Sequence, residues 1–171
     1  MATKFQLEHE FPDISLDFFE KYLNHPELNS MLSLMPSFKS RDLIEKQDLD
    51  SGEVIWRFKV VAGGEFPPAV TKIISPEMFS WWENSRFFPS EHCIHFNIEP
   101  LKAVGKFEGS GQWRLIKQGN GTKRIIEGEM NVKIPFVGKI VESFFINELK
   151  KNYEVEPDIQ TRFYHKMRRQ A

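Results

Sequence analysis

Residues 4–10, Lys-Phe-Gln-Leu-Glu-His-Glu, alternate polar and apolar. On a strand that spacing puts Phe5, Leu7 and His9 on one face. Pro12 and Asp13 interrupt the alternation, and Asp13 or Ser15 can cap a short helix carrying Leu16, Phe19 and Leu23. Asn24-His25-Pro26 then marks a break. Pro26 suits the first position of a second short helix with Leu28, Met31, Leu32 and Met35 as its apolar face, and Pro36 stops it. From Phe38 to Ile134 the period changes to two, the mark of strands and turns. A charged strand over 41–49 meets the turn Asp50-Ser51-Gly52. In the next, over 54–60, Val54, Trp56, Phe58 and Val60 oppose Arg57 and Lys59. Further strands are predicted over 70–75, 79–87, 92–98, 106–117 and 122–134, the last two joined by Gln118-Gly119-Asn120-Gly121. Gly109 and Gly111 share a face with Phe107, Trp113 and Leu115, leaving room for curvature or a close approach.

Ile134-Pro135-Phe136-Val137-Gly138 opens one long amphipathic helix. On a helical wheel Val137, Val141, Phe144, Phe145, Leu149, Val155, Ile159 and Phe163 fall in one broad sector, with Glu148 and Asn152 near its middle. Pro157 lacks an amide donor, so a bend or an end is predicted between Tyr153 and Pro157, followed by a last helical stretch. Arg162, Lys166, Arg168 and Arg169 suit the negative end of that stretch.

Composition narrows the function classes. A chain of 171 residues, 40% of them hydrophobic, is long enough for one well-buried core and short for two, so one domain over 1–171 is expected. A net charge of -1 argues against a general electrostatic grip on nucleic acid. No stretch approaches the roughly 20 apolar residues of a membrane span, and residues 1–10 do not read as a signal peptide. Cys93 is the single cysteine, which excludes a disulfide framework and fits a reduced, cytoplasmic setting. Sixteen Phe and four Trp fit either an unusually bulky core or a ligand-lined cavity. Trp81 and Trp82 are adjacent, so one points inward and one outward.

Candidate chemistry is sparse. His92 and His95 point to opposite faces of a strand, so they do not chelate one metal ion, and neither a metal nor a cofactor is expected. Glu8 with Glu10, and Glu127 with Glu129, are same-face carboxylate pairs that a solvated sheet face explains. Glu148 is the sharpest candidate, because a dry unpaired carboxylate on an apolar helix face costs several kcal/mol. It therefore implies a partner such as Arg57, Arg114 or Arg124, a wet cavity, a polar ligand group, or release to solvent at the bend.

Strand, two short helices, a run of antiparallel strands and a long terminal helix, with Pro135, Gly138 and Glu142 where the last strand meets that helix, resemble the START-like (SRPBCC, helix-grip) superfamily. Within it the chain is most similar to a bacterial subfamily of unknown function. The resemblance implies an α+β fold, a curved antiparallel sheet wrapped around the terminal helix with a hydrophobic cavity between them. That fold hosts carriers, sensors and enzymes alike. The expected function is binding of a hydrophobic small molecule or lipid, lined by Trp56, Phe58, Phe96, Trp113, Met130, Val141, Phe144 and Phe145, with Glu148 or Asn152 orienting one polar group. The alternatives are a polyketide-cyclase-like or hydrolase-like enzyme using His9, His95 or Glu148 as acid–base groups, and a ligand-free interaction domain.

Overall fold

The computed structural model describes residues 1–171, the side chain of residue 76 aside. Its strands are β1 (Thr3–Phe11), β2 (Phe38–Asp48), β3 (Val54–Ala62), β4 (Ser80–Phe88), β5 (Cys93–Pro100), β6 (Phe107–Gln118) and β7 (Gly121–Val132). They form one antiparallel sheet in the order β1-β7-β6-β5-β4-β3-β2. β1 and β2 are neighbours in sequence but lie at opposite edges. The two short helices α1 (Leu16–Lys21) and α2 (Pro26–Leu32) therefore carry the chain across the width of the sheet. Ser15 caps α1 by accepting from the Phe18 amide, and Pro26 opens α2, as its fixed φ favours.

The concave face is bent by a row of four residues in register: Phe96, Gly111, Gly128 and Phe5 on β5, β6, β7 and β1. A Cβ on Gly111 would lie 2.3 Å from the Glu127 carbonyl oxygen and 2.6 Å from Phe96 Cζ. One on Gly128 would lie 2.6 Å from Phe5 Cζ. The two rings occupy the space that the glycines vacate. This is the close approach that glycines within the β6 pattern imply, and it lets the sheet curl without opening a void.

Helix α3 (Pro68–Thr71) corrects the strand expected over 70–75. Val70 and Ile74 are both buried, a spacing of four that suits a helical turn, and the exposed Lys72 between them breaks a period of two. Pro68 in the first turn decides for the helix. Trp81 faces the core, while Trp82 faces outward under the Arg57 guanidinium, 4.2 Å from its ring centre.

The long helix α4 (Gly138–Gln170) fills the concave side and runs through Pro157 without ending. Pro157 leaves the Tyr153 carbonyl without its helical donor. The helix nonetheless runs on to Gln170, which gives the last helical stretch expected beyond Pro157, and the His9 ring lies 5.5 Å from that of Tyr153 beside this turn. At its start a Cβ on Gly138 would come 2.5 Å from the Val132 carbonyl oxygen, and Glu142 accepts the Val132 amide at 2.8 Å. Glu142 also accepts from Thr3 at 2.5 Å and Lys139 at 2.6 Å. Burial alone would raise its pKa, but these three donors hold the carboxyl below the ordinary glutamate value. Gly138 and Glu142 thus clasp the end of β7 and the start of β1 to the helix.

Candidate functional site

Between the sheet and α4 lies a cavity of about 180 Å³. Apolar side chains converge on it from β4 to β7 and from α4, among them Trp81, Ile94, Ile98, Phe107, Ile126 and Leu149. Of the residues singled out in the sequence, Phe96, Trp113, Met130, Phe144, Phe145, Glu148 and Asn152 border this space. Trp56, Phe58 and Val141 do not. They are packed into the core cluster, at 2%, 0% and 0% exposure, because their strand and helix positions lie under neighbouring side chains. Val155, placed by the wheel on the inner face, is 49% exposed.

Deeper in, the inner face of α4 carries two polar residues, Glu156 and Gln160, both almost fully buried. Glu156 makes a two-pronged ion pair with Arg124 of β7, at 2.9 Å and 3.1 Å. Arg124 is fully buried and lies 4.7 Å from the Trp113 ring centre. Its Nη2 also reaches His9 Nδ1 at 3.1 Å, and Gln160 donates to Glu156. Sequence reading missed this cluster although the signal was present. On a 100° wheel Glu156 falls about 20° from Phe145, within the apolar sector, where the hydrophobic Val155 and Ile159 stand out more strongly.

Because Arg124 can only donate, His9 Nδ1 must accept and carry no proton, which holds His9 neutral. Burial first, and the Arg124 charge second, push its pKa down to about 4. The unfolded chain, with an ordinary histidine near 6.5, binds more protons between pH 4 and 6.5. This group's contribution is complete above pH 6.5 and is lost as pH falls toward 4. For a half-buried group screened by solvent the loss is about 1 kcal/mol. Melting curves from pH 7.5 to 4.5 are expected to show a steeper acid decline in wild type than in His9→Gln. Parallel declines would remove His9 as a source.

A second polar cluster also borders the cavity, as Glu156 and Gln160 do. Arg41 of β2 pairs with Glu83 of β4 at 2.8 Å, and its guanidinium lies 3.7 Å from the Phe58 ring centre. Ser85 of β4 and Tyr153 of α4 border the same space. Glu148 sits elsewhere on the wall. Its carboxylate accepts from Ser37 at 2.9 Å and from the exposed Lys151 at 2.7 Å. Neither is the arginine partner expected: Arg57 covers Trp82, Arg114 pairs with Glu127, and Arg124 is taken by Glu156.

The remaining candidates lie outside the cavity. His95 is exposed on the outer face, its ring 5.0 Å from that of Phe88. His92 precedes β5 with φ of 52° and pairs with Glu20 at 2.6 Å. Glu8 pairs with Lys123 on the solvated face. Among the described residues no group of three or more His, Cys, Asp or Glu is placed to hold a metal ion, and no helix is long and apolar enough to cross a membrane.

The architecture is shared with solved structures at low identity. A protein of Thermus thermophilus superposes with a TM-score of 0.64 at 14% identity, covering 96% of this chain and 99% of that one. The Zhui aromatase/cyclase of Streptomyces sp. R1128 gives 0.60 at 12% identity, covering 95% and 94%. Norcoclaurine synthase of Thalictrum flavum gives 0.58 at 18%, covering 95% and 87%. These likenesses establish the helix-grip fold, a curved seven-stranded sheet gripping its terminal helix. A comparison with curated proteins gives no match. A family described as "Protein of unknown function (DUF2505)" matches residues 37–163, from the start of β2 to near the end of α4. The chain is thus a helix-grip protein that belongs to the DUF2505 family.

Proposed function

We propose that this protein binds a hydrophobic small molecule between sheet and α4, as a carrier or sensor. The aromatic-walled cavity of about 180 Å³ carries this reading. Apolar surface moved into it from water gains roughly 25 cal/mol per Å². An engineered cavity of about 150 Å³ holds benzene, while drug-sized sites span roughly 300–1,000 Å³. The volume favours a body of one or two rings over a whole lipid. The cyclase-like or hydrolase-like alternative loses support from its named acid–base groups. His95 faces outward, His9 is committed to Arg124, and Glu148 to Ser37 and Lys151.

Titration with 1-naphthylamine, a neutral two-ring fluorescent probe, is expected to saturate at one site per chain. Naphthalene should displace it. Met130→Trp, which grows into the cavity from β7, should abolish the signal while circular dichroism stays unchanged. Non-saturating fluorescence, or saturation indifferent to Met130→Trp, would contradict binding at this site.

A further inference from the structure

Arg41, Glu83, Glu148 and Glu156, which meet the cavity, each already have a partner, and Glu129, which also borders it, is exposed to solvent. Arg41 is the only cationic side chain bordering it among the described residues, and Glu83 accepts one of its amino groups at 2.8 Å. Arg124, behind the wall, is neutralised by both carboxylate oxygens of Glu156. Glu148, on the wall, takes Lys151 and Ser37. A ligand carboxylate entering this space would lose its water and find no free positive charge in return. Such a charge buried without a counterion costs several kcal/mol, and it would lie among the glutamates.

What remains available is neutral hydrogen bonding. Among the described residues the Tyr153 hydroxyl has no hydrogen-bonding partner, and burial keeps it protonated, with its pKa raised above the usual tyrosine value. It borders the cavity together with the Ser85 hydroxyl and Glu83, whose second carboxylate oxygen is not used by Arg41. A hydroxyl on the ligand can donate to Glu83 and accept from Tyr153, and a carbonyl can accept from Tyr153. Both leave the Arg41–Glu83 pair intact. Trp81 and Phe96 on the surrounding wall suit a flat ring.

We propose that the cavity selects an electrically neutral ligand, a body of one or two rings carrying a hydroxyl or carbonyl oxygen that reaches Tyr153 and Glu83, and that it discriminates against carboxylates. The proposal rests on the cavity being a binding site and adds the chemistry of its polar end.

The test compares naphthalene, naphthalene-2-methanol, 2-naphthoate and naphthalen-2-ylmethylamine on the full chain at pH 7.5, by displacement of 1-naphthylamine. The alcohol is expected to bind at least ten-fold tighter than the carboxylate, and tighter than the amine. Tyr153→Phe should weaken the alcohol several-fold and leave naphthalene unchanged. Glu83→Gln, which strips Arg41 of its counter-charge, should narrow or reverse the gap between alcohol and carboxylate. Should Glu83→Gln fail to fold, the ligand ranking and Tyr153→Phe still decide. Equal or tighter binding of the carboxylate or amine, or a ranking unmoved by Tyr153→Phe, would overturn the selectivity while leaving the cavity as a binding site. Failure of naphthalene itself to bind would overturn both.

Discussion

Glu156→Ala is expected to lower the free energy of unfolding by about 3–5 kcal/mol, the usual result of breaking a buried ion pair from one side. The reason is Arg124, which is fully buried and holds both Glu156 oxygens. Once the carboxylate is gone, the guanidinium keeps its charge and retains only His9 as a polar neighbour, against the rings of Trp113, Phe11 and Tyr153. Gln160 loses its acceptor in the same step. The double change Arg124→Met with Glu156→Leu removes both charges and should lose less than half as much, because no ion is then stranded. Urea unfolding of the three proteins decides this. A small loss in Glu156→Ala would mean that water reaches Arg124 and that this end of the cavity is wet.

Gly111→Val is the second large effect, expected to cost about 3 kcal/mol or more. Its Cβ would overlap the Glu127 carbonyl oxygen at 2.3 Å, which is backbone and cannot swing aside, as well as the Phe96 ring. Strand β7 would have to separate from β6, undoing the bend that cups α4. Gly109→Ala on the same face is the control. Its nearest neighbours stand at 3.4 Å, so a loss under about 1 kcal/mol is expected. Thermal and urea unfolding of both variants, read with near-ultraviolet circular dichroism, would show the contrast. Equal losses would mean that general strand propensity, and not the Phe96–Gly111–Gly128–Phe5 row, is responsible.

Much of the architecture was legible because period-two and period-3.6 patterns coincide with the burial they serve. Val54, Trp56, Phe58 and Val60 alternate as their strand requires, and Pro26 and Ser15 mark helix starts by backbone chemistry. Patterning failed over 70–75, where exposed Lys72 between buried Val70 and Ile74 fits a helical spacing of four and not a strand. At Pro157 the helical pattern resumes as read, and the helix runs on to Gln170. Hydrophobic identity also misled. Glu156 and Gln160 occupy the buried line of α4 because Arg124 waits opposite, so the wheel favoured Val155, which is exposed. Trp56, Phe58 and Val141 show the limit of inferring a lining from inward direction alone. A residue can face inward and still lie beneath others.

Methyl-selective nuclear magnetic resonance during a titration with naphthalene tests the central claim most directly. Binding between sheet and α4 predicts saturable shifts at the methyls of Ile94, Ile98, Met130 and Leu149, which border the cavity, with those of the exposed Ile44 and Ile116 unmoved. Shifts confined to Ile44, Ile116 or other surface methyls, or none that saturate, would contradict it.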